Sequence, residues 1–224
     1  MRYLEFMKEF EAECKAVERD PNSILVLPIS KASSVEDIRE VYDQGARGFG
    51  ENRPDALLEK AEALKDRDID WHFIGNIQSR RIKDIVKHSS LIHSLASAEH
   101  AHKIDAVAKE MGKIQDVLIE VNQPGEPQKL GIRLTELAGL LRDVKDLDNI
   151  RVCGLMCMAP MGVDEATIQG YFWALGTALE RSAEILGDKA KYYKELSMGM
   201  SQDWQNAVFC GSTIIRIGTA IFSD

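Results

Sequence analysis

The chain carries 28 Lys and Arg against 36 Asp and Glu in 224 residues, a formal charge of −8, with 45% hydrophobic and 29% charged residues. That length fits one domain of the larger single-barrel kind, and the composition excludes a disordered chain. A pI near 5.2 argues against a nucleic-acid module, no apolar run approaches the roughly 20 residues of a bilayer span, and the charged start MRYLEFMKEFEAECK is not a signal peptide.

Residues 2–18 read as a helix, because Leu4, Met7, Phe10, Cys14 and Val17 recur at three- and four-residue spacing; Asp20-Pro21-Asn22 ends it. Apolar runs follow at SILVLPIS (23–30), ARGFGEN (46–52), IDWHFIG (69–75), SLIHSLA (90–96), QDVLIEVN (115–122), IRVCGLMCM (150–158), YYKELSM (192–198) and TIIRIG (213–218), eight strand candidates in all. Helix-compatible stretches separate them, among them 34–44, 54–65, 97–110, 133–144 and 164–186. Strands alternating with helices imply parallel βαβ units. Eight such units match a (β/α)8 TIM barrel, usually about 250 residues, with a doubly wound open sheet as the competing architecture. Polar residues at the C-terminal end of nearly every strand candidate favour the barrel, whose active sites sit there. With no linker, low-complexity tract or repeat, residues 1–224 read as a single domain with an extra N-terminal helix. The charged faces at 59–70 and 133–148 read as solvated helix surface. Cys14, Cys153, Cys157 and Cys210 form no paired CxxC spacing, so they read as reduced, packed thiols of a cytoplasmic protein.

Lys31 follows SILVLPIS directly, ahead of a helix start where Ser34 and Asp37 form a capping pair. Strand alternation puts Leu25, Leu27, Ile29 and Lys31 on one face, so the lysine closes an inward apolar row at a barrel mouth. Desolvation there would favour the free amine that Schiff-base chemistry needs; a solvated strand-end lysine is the plainer alternative. In TIIRIGTAIF, Ile215 and Ile217 face the helices, leaving Ile214, Arg216 and Gly218 toward the axis. A buried guanidinium needs a partner, either Glu120 of VLIEVN in a structural pair or an acceptor on a ligand. The loops after strands seven and eight, Ser197-Met198-Gly199-Met200-Ser201 and Gly218-Thr219, lie where barrels hold phosphate on backbone N–H groups, and Gly211-Ser212-Thr213 opens strand eight. Phosphate would be held there against the field of a net acidic chain. Asn52 and Asn122 end strands two and five. His72 and His93 read as core histidines, and His88, His100 and His102 as surface ones.

Taken together, Ser30-Lys31, Tyr42–Asn52, WHFIGNIQS (71–79), IHSL (92–95), VNQPGEPQKLG (121–131), GLMCMAP (154–160), LSMGMSQD (196–203) and GSTIIRIGTAIF (211–222) resemble the YggS/PROSC family of pyridoxal-phosphate homeostasis proteins. The match spans nearly the whole chain in order, and the HFIG and SMGMS blocks are its most specific parts. The resemblance implies a barrel like the N-terminal domain of alanine racemase, holding pyridoxal 5′-phosphate (PLP) as a Schiff base on Lys31. It places Asn52 beside the cofactor ring, Met156 in the ring pocket, Arg216 at the pyridine nitrogen, and Ser201, Gly218 and Thr219 at the phosphate. It implies control of PLP supply without substantial turnover, with PLP-dependent apoenzymes as partners and a monomeric state.

The alternative under the same resemblance is a low-activity amino-acid racemase. That reading needs an acid or base opposite Lys31, for which Cys157 and His72 are the candidates. The racemase tyrosine one turn after the lysine is replaced by Val35, and the chain stops at Asp224 after the last strand, without the racemase second domain. A Schiff-base aldolase would carry its lysine on a later strand. Against the family pattern, Asp55-Ala56 replace Gln-Glu, Arg80-Arg81 replace Asn-Lys, Pro124 replaces a serine and Ser223-Asp224 replace a basic tail, while Lys129 is retained. These departures bear on a second PLP site or tail contacts, not on the primary pocket.

Overall fold

All eight apolar runs form strands: β1 (Leu25–Pro28), β2 (Gly48–Glu51), β3 (Asp70–Phe73), β4 (Leu91–Leu95), β5 (Gln115–Val121), β6 (Ile150–Cys157), β7 (Glu195–Ser197) and β8 (Ile214–Ile217). The structure, a computed structural model, describes residues 2–123 and 130–223. Pro124 and Lys129 of the VNQPGEPQKLG run lie outside the described residues. The strands pair in parallel in the order β1-β8-β7-β6-β5-β4-β3-β2. An Ile29–Gly50 bridge then joins β1 to β2 and brings the sheet round on itself. The architecture is the (β/α)8 barrel, not the open sheet.

The helices are α1 (Tyr3–Ala16), α2 (Val35–Asp43), α3 (Pro54–Ala63), α4 (Ile82–His88), α5 (Ala98–Glu110), α6 (Leu137–Val144), α7 (Glu165–Ser182), α8 (Trp204–Phe209) and α9 (Thr219–Phe222). The Ser34–Asp37 capping box is formed: Asp37 N donates to Ser34 Oγ at 3.1 Å, and Ser34 N donates to Asp37 Oδ2 at 2.8 Å. This satisfies orphan donors at the start of α2 and fixes where the chain turns after Lys31. The N-terminal helix is present, but its buried face is Tyr3, Phe6, Phe10 and Cys14, and Leu4 is exposed. The reason is Trp204 on α8, which receives Phe6 edge-on at 5.2 Å and so sets the rotation of α1. The segment expected as helix through residue 186 leaves α-geometry after Ser182, continuing as 3₁₀ turns around Gly187.

The apolar residues divide into two layers. Ile215, Ile217, Val117, Ile119 and Leu155 pack outward against the helices, while Leu27, Ile29, Leu118, Cys153, Met156 and Ile214 fill the barrel. The inward placement of Ile214 and outward placement of Ile215 and Ile217 follow the alternation read from the sequence. Arg216 is therefore carried into the barrel.

Candidate functional site

A cavity of about 370 Å³ opens at the C-terminal ends of the strands. Lys31, Asn52, Met156, Ser201, Arg216, Gly218 and Thr219, all seven residues singled out from the sequence, line it. Ile74, Met158, Met200 and Gln202 complete much of the wall. Lys31, Asn52 and Thr219 are exposed at the rim, whereas Met156 and Arg216 are buried at its floor. Among the described lining residues the ionisable ones are Lys31 and Arg216, both basic. The site is thus locally cationic in a chain of formal charge −8.

Lys31 stands at the mouth as the inward alternation of β1 requires, but it is exposed. The desolvation expected from its strand-end position is not supplied by the polypeptide around it. What the fold does supply is anchorage of the neighbouring backbone. Lys60 Nζ donates to the Ser30 carbonyl at 2.6 Å and to Glu51 Oε1 at 2.5 Å, and Ser30 Oγ donates to the same carboxylate oxygen at 2.7 Å. Glu51 is fully buried and Lys60 nearly so. The reading of 59–70 as solvated surface is therefore wrong at Lys60, which turns inward because a buried carboxylate on β2 demands a counter-charge. This cluster spans the β1–β2 seam, where a single bridge stands in for a ladder. Lys31 and Asn52 are the residues immediately beyond it on the two strands.

Gly75 of the HFIG block sets Asn52. A Cβ at Gly75 would lie 1.8 Å from the Asn52 carbonyl oxygen, so only glycine lets the end of β3 cross this closely. Gly199 of SMGMS has φ +92, and a Cβ there would sit 2.5 Å from Ala207 Cβ on α8. Its loop is pinned further by Asp203, whose Oδ1 accepts from Met200 N at 2.5 Å. Ser201 is delivered beside β8, where its Oγ accepts from Gly218 N at 3.3 Å. Gly218 in turn precedes the short helix α9, whose first N–H groups face outward from the helix start. The other glycine-containing turn, Gly211-Ser212-Thr213, is at the opposite end: Ser212 is buried on the Leu196, Met198 and Ile214 carbonyls, and Thr213 lines a different cavity.

Arg216 does not take Glu120 as its hydrogen-bond partner. Its Nη1 donates to Ser197 Oγ at 2.7 Å and its Nη2 to the Cys157 carbonyl at 2.9 Å. Ser197, read from the sequence as the start of the phosphate loop, is instead the last residue of β7, and only the barrel's stagger reveals that it meets Arg216. The guanidinium still acts on Glu120 through space, opposing the burial that pushes this carboxyl up to about 7. The two racemase candidates do not reach the cavity. The Cys157 side chain packs outward among the helices, with burial pushing its thiol up to about 12. His72 opens onto a cavity at the other end of the barrel. His72 and His93 are buried and bonded to each other, as core histidines are. Two of the departures from the family pattern meet: Arg81 Nη1 pairs with Asp55 Oδ1 at 2.5 Å.

Residues 23–224 match the family model described as the alanine racemase N-terminal domain. The chain belongs to that family. Within it, the chain is 37% identical over 218 residues to the pyridoxal phosphate homeostasis protein of Aquifex aeolicus, covering 97% of this chain and 94% of the relative. It is 34% identical to the protein of the same name from Synechocystis, over 91% of this chain and 93% of that one. Among solved structures it is similar to PipY of Synechococcus elongatus with PLP bound, at 33% identity and a TM-score of 0.83, covering 96% of this chain and 99% of PipY. A protein from Bifidobacterium adolescentis superposes with a TM-score of 0.93 at 30% identity, covering 98% and 92% of the two chains. Alanine racemase from Clostridium difficile shares the fold at 14% identity and a TM-score of 0.68, this chain spanning 56% of its length. No helix among the described residues is long and apolar enough to cross a membrane.

Proposed function

We propose that this chain is a PLP-binding protein of PLP homeostasis, holding the cofactor as a Schiff base on Lys31 without substantial turnover. The observation that carries the reading is one cavity lined by an exposed lysine, a buried guanidinium and a hydroxyl–glycine pair. The names of its relatives and the PLP-bound PipY support it. PLP is a phosphorylated aromatic aldehyde, and when bound it supplies an aldehyde for an amine and a ring that can withdraw electrons.

Each lining residue then has a task. Lys31 Nζ condenses with the aldehyde carbon, releasing water. Ser201, Gly218 and Thr219 face the phosphate, and local donors outweigh the global charge there. Asn52 and Met156 bracket the ring. Arg216 takes the pyridine nitrogen. A guanidinium can only donate, so opposite that nitrogen it favours the unprotonated ring, a poorer electron sink. The site suits holding the aldehyde better than driving carbanion chemistry.

On this reading the protein is a cytoplasmic monomer that supplies PLP-dependent apoenzymes. The four buried cysteines, all unpaired, are in keeping with a reducing compartment. Mixing the protein with PLP and recording the visible spectrum before and after borohydride tests the central claim. A band that borohydride fixes covalently in the parent and that is missing in Lys31→Ala is expected. No such band in the parent, or an undiminished one in Lys31→Ala, refutes it. Sedimentation with and without PLP checks the monomer.

A further inference from the structure

Inward-facing polar side chains from β8, β7, β4 and β3 form a continuous hydrogen-bonded column along the barrel. Arg216 Nη1 donates to Ser197 Oγ at 2.7 Å, and Ser197 Oγ lies 2.9 Å from His93 Nδ1. His93 Nε2 is 2.9 Å from His72 Nδ1, and His72 Nε2 is 3.3 Å from Asp70 Oδ2. Ser197 and His93 are fully buried, and His72 and Arg216 nearly so. Arg216 lines the upper cavity. Asp70 and His72 line a second cavity of about 1030 Å³ at the N-terminal ends of the strands, together with Asp116, Arg151 and Glu195.

Counting hydrogens gives the column a direction. A guanidinium only donates and a carboxylate only accepts. Arg216 fills one lone pair of Ser197 Oγ, so the single Ser197 hydroxyl hydrogen goes to His93 Nδ1. His93 then carries its proton on Nε2 and donates to His72 Nδ1. His72 carries its proton on Nε2 and donates to Asp70. The reverse order puts a bare imidazole lone pair against Asp70 unless His72 takes a second proton, and it leaves the Ser197 hydroxyl hydrogen without an acceptor in the column. The surroundings agree. Burial, then the proximity of His72 and Arg216, holds His93 well below the ordinary histidine range. The hydrogen bond from His72 holds Asp70 below the usual carboxylate range.

We propose that Ser197 and His93 are positioning residues, which hold Arg216 at the cofactor's ring nitrogen through a one-way chain of donors ending on Asp70 at the barrel floor. The inference rests on the upper cavity being the PLP site. It differs from a packing role, because it requires a particular proton on each ring.

Imidazole ¹H–¹⁵N correlation spectra of the full chain without added PLP, assigned by the signals lost in His72→Gln and His93→Gln, test the column by itself. Each ring is expected to carry its proton on Nε2, with Nδ1 accepting. A proton on His93 Nδ1, or two protons on His72, overturns the proposal. In PLP-loaded protein, His93→Leu is expected to shift the visible absorption maximum and weaken PLP affinity about tenfold, the cost of one lost hydrogen bond from Ser197 Oγ, which is then free to turn away from the guanidinium. His93→Gln presents an amide oxygen to Ser197 and an amide N–H to His72, and is expected to stay within about threefold of the parent. A spectrum and affinity for His93→Leu equal to the parent's, or equal losses in both variants, overturn the positioning role. Absence of any PLP band in the parent refutes the cofactor reading and this role with it, while the imidazole spectra still decide the column.

Discussion

Lys60→Met is expected to destabilise the protein by about 3–5 kcal/mol, the cost of leaving a buried carboxylate without its counter-charge. Glu51 is fully buried, its Oε2 has no hydrogen-bond partner among the described residues, and its Oε1 sits 2.5 Å from Lys60 Nζ. Without the ammonium, Ser30 Oγ at 2.7 Å is the donor that remains on Oε1. The Ser30 carbonyl loses its 2.6 Å partner as well. Removing both charges in Lys60→Met/Glu51→Leu leaves the Ser30 carbonyl without its donor while the Ser30 hydroxyl keeps the Gly50 carbonyl at 3.3 Å, so most of the loss is expected to return, to within about 1–2 kcal/mol of the parent. Urea unfolding of the parent, the single and the double variants measures this, with the slope of the transition checked for constancy. PLP affinity is expected to fall in the single variant too, since the seam that separates opens beside Lys31 and Asn52. A single variant within about 1 kcal/mol of the parent, the range of a solvated pair, would refute the buried latch. So would a double variant as unstable as the single one.

Gly75→Ala is expected to cost at least about 2–3 kcal/mol and to weaken PLP binding, because its Cβ meets the Asn52 carbonyl at 1.8 Å and backbone must move; thermal melts and a PLP titration check both. Gly199→Ala, strained by φ +92 and by Ala207, is expected to cost about 1–3 kcal/mol and to loosen the Ser201 loop, read as weaker competition by inorganic phosphate for PLP. Glu120, with its carboxyl raised to about 7 from 4.5, keeps its proton in the folded state when the unfolded chain has lost it. Its contribution to stability is full below about pH 4.5 and is lost as pH rises through about 7, at about 1.4 kcal/mol per unit. Glu120→Gln is therefore expected to match the parent at about pH 4.5 and to exceed it by about 3 kcal/mol at pH 8, in urea titrations across that range; parallel pH profiles would contradict it.

The strands were legible because each is a short apolar run between turn signals, and their inward rows followed from alternation alone. Leu27 and Ile29 lead to Lys31, and Ile214 leads to Arg216, as a period of two requires. What meets across the axis was not legible. That depends on strand stagger, and the ladder shifts register between Ile92 and Leu95 on β4 and between Val117 and Leu118 on β5. Ser197 and His93 therefore came to Arg216 unannounced, and Glu120, one of its two candidate partners, makes no hydrogen bond to it. The helices α4, α8 and α9 are one or two turns long, too short for a 3.6-residue period to show. Lys60 sits in a run of charged residues, and only the buried Glu51 on the neighbouring strand distinguishes it from a solvated lysine. The Lys31–Arg216 pairing in one cavity was legible because both lie at the same strand ends, where barrel sites form.

On the proposed cofactor reading, carrier and catalyst diverge on the face of the ring opposite Lys31. Racemisation moves a proton off one face of a carbon and onto the other, so it needs two acid–base groups, and Lys31 reaches from one side. The Cys157 thiol points away among the helices with a pKa of about 12, and only its carbonyl touches the site, through Arg216. His72 is committed to His93 and Asp70 below. Met156, Met158 and Ile74 line the wall instead, and thioethers and alkyl groups move no protons. Meanwhile the residues proposed for the ring nitrogen and the phosphate, Arg216 and Ser201, Gly218 and Thr219, all line the cavity. With one proton-transfer group beside the ring among the described residues, the proposed site suits binding and release of the aldehyde better than racemisation. The exposure of Lys31 at the rim fits the same proposal, since water would have access to a Schiff base formed there and its hydrolysis would return the aldehyde.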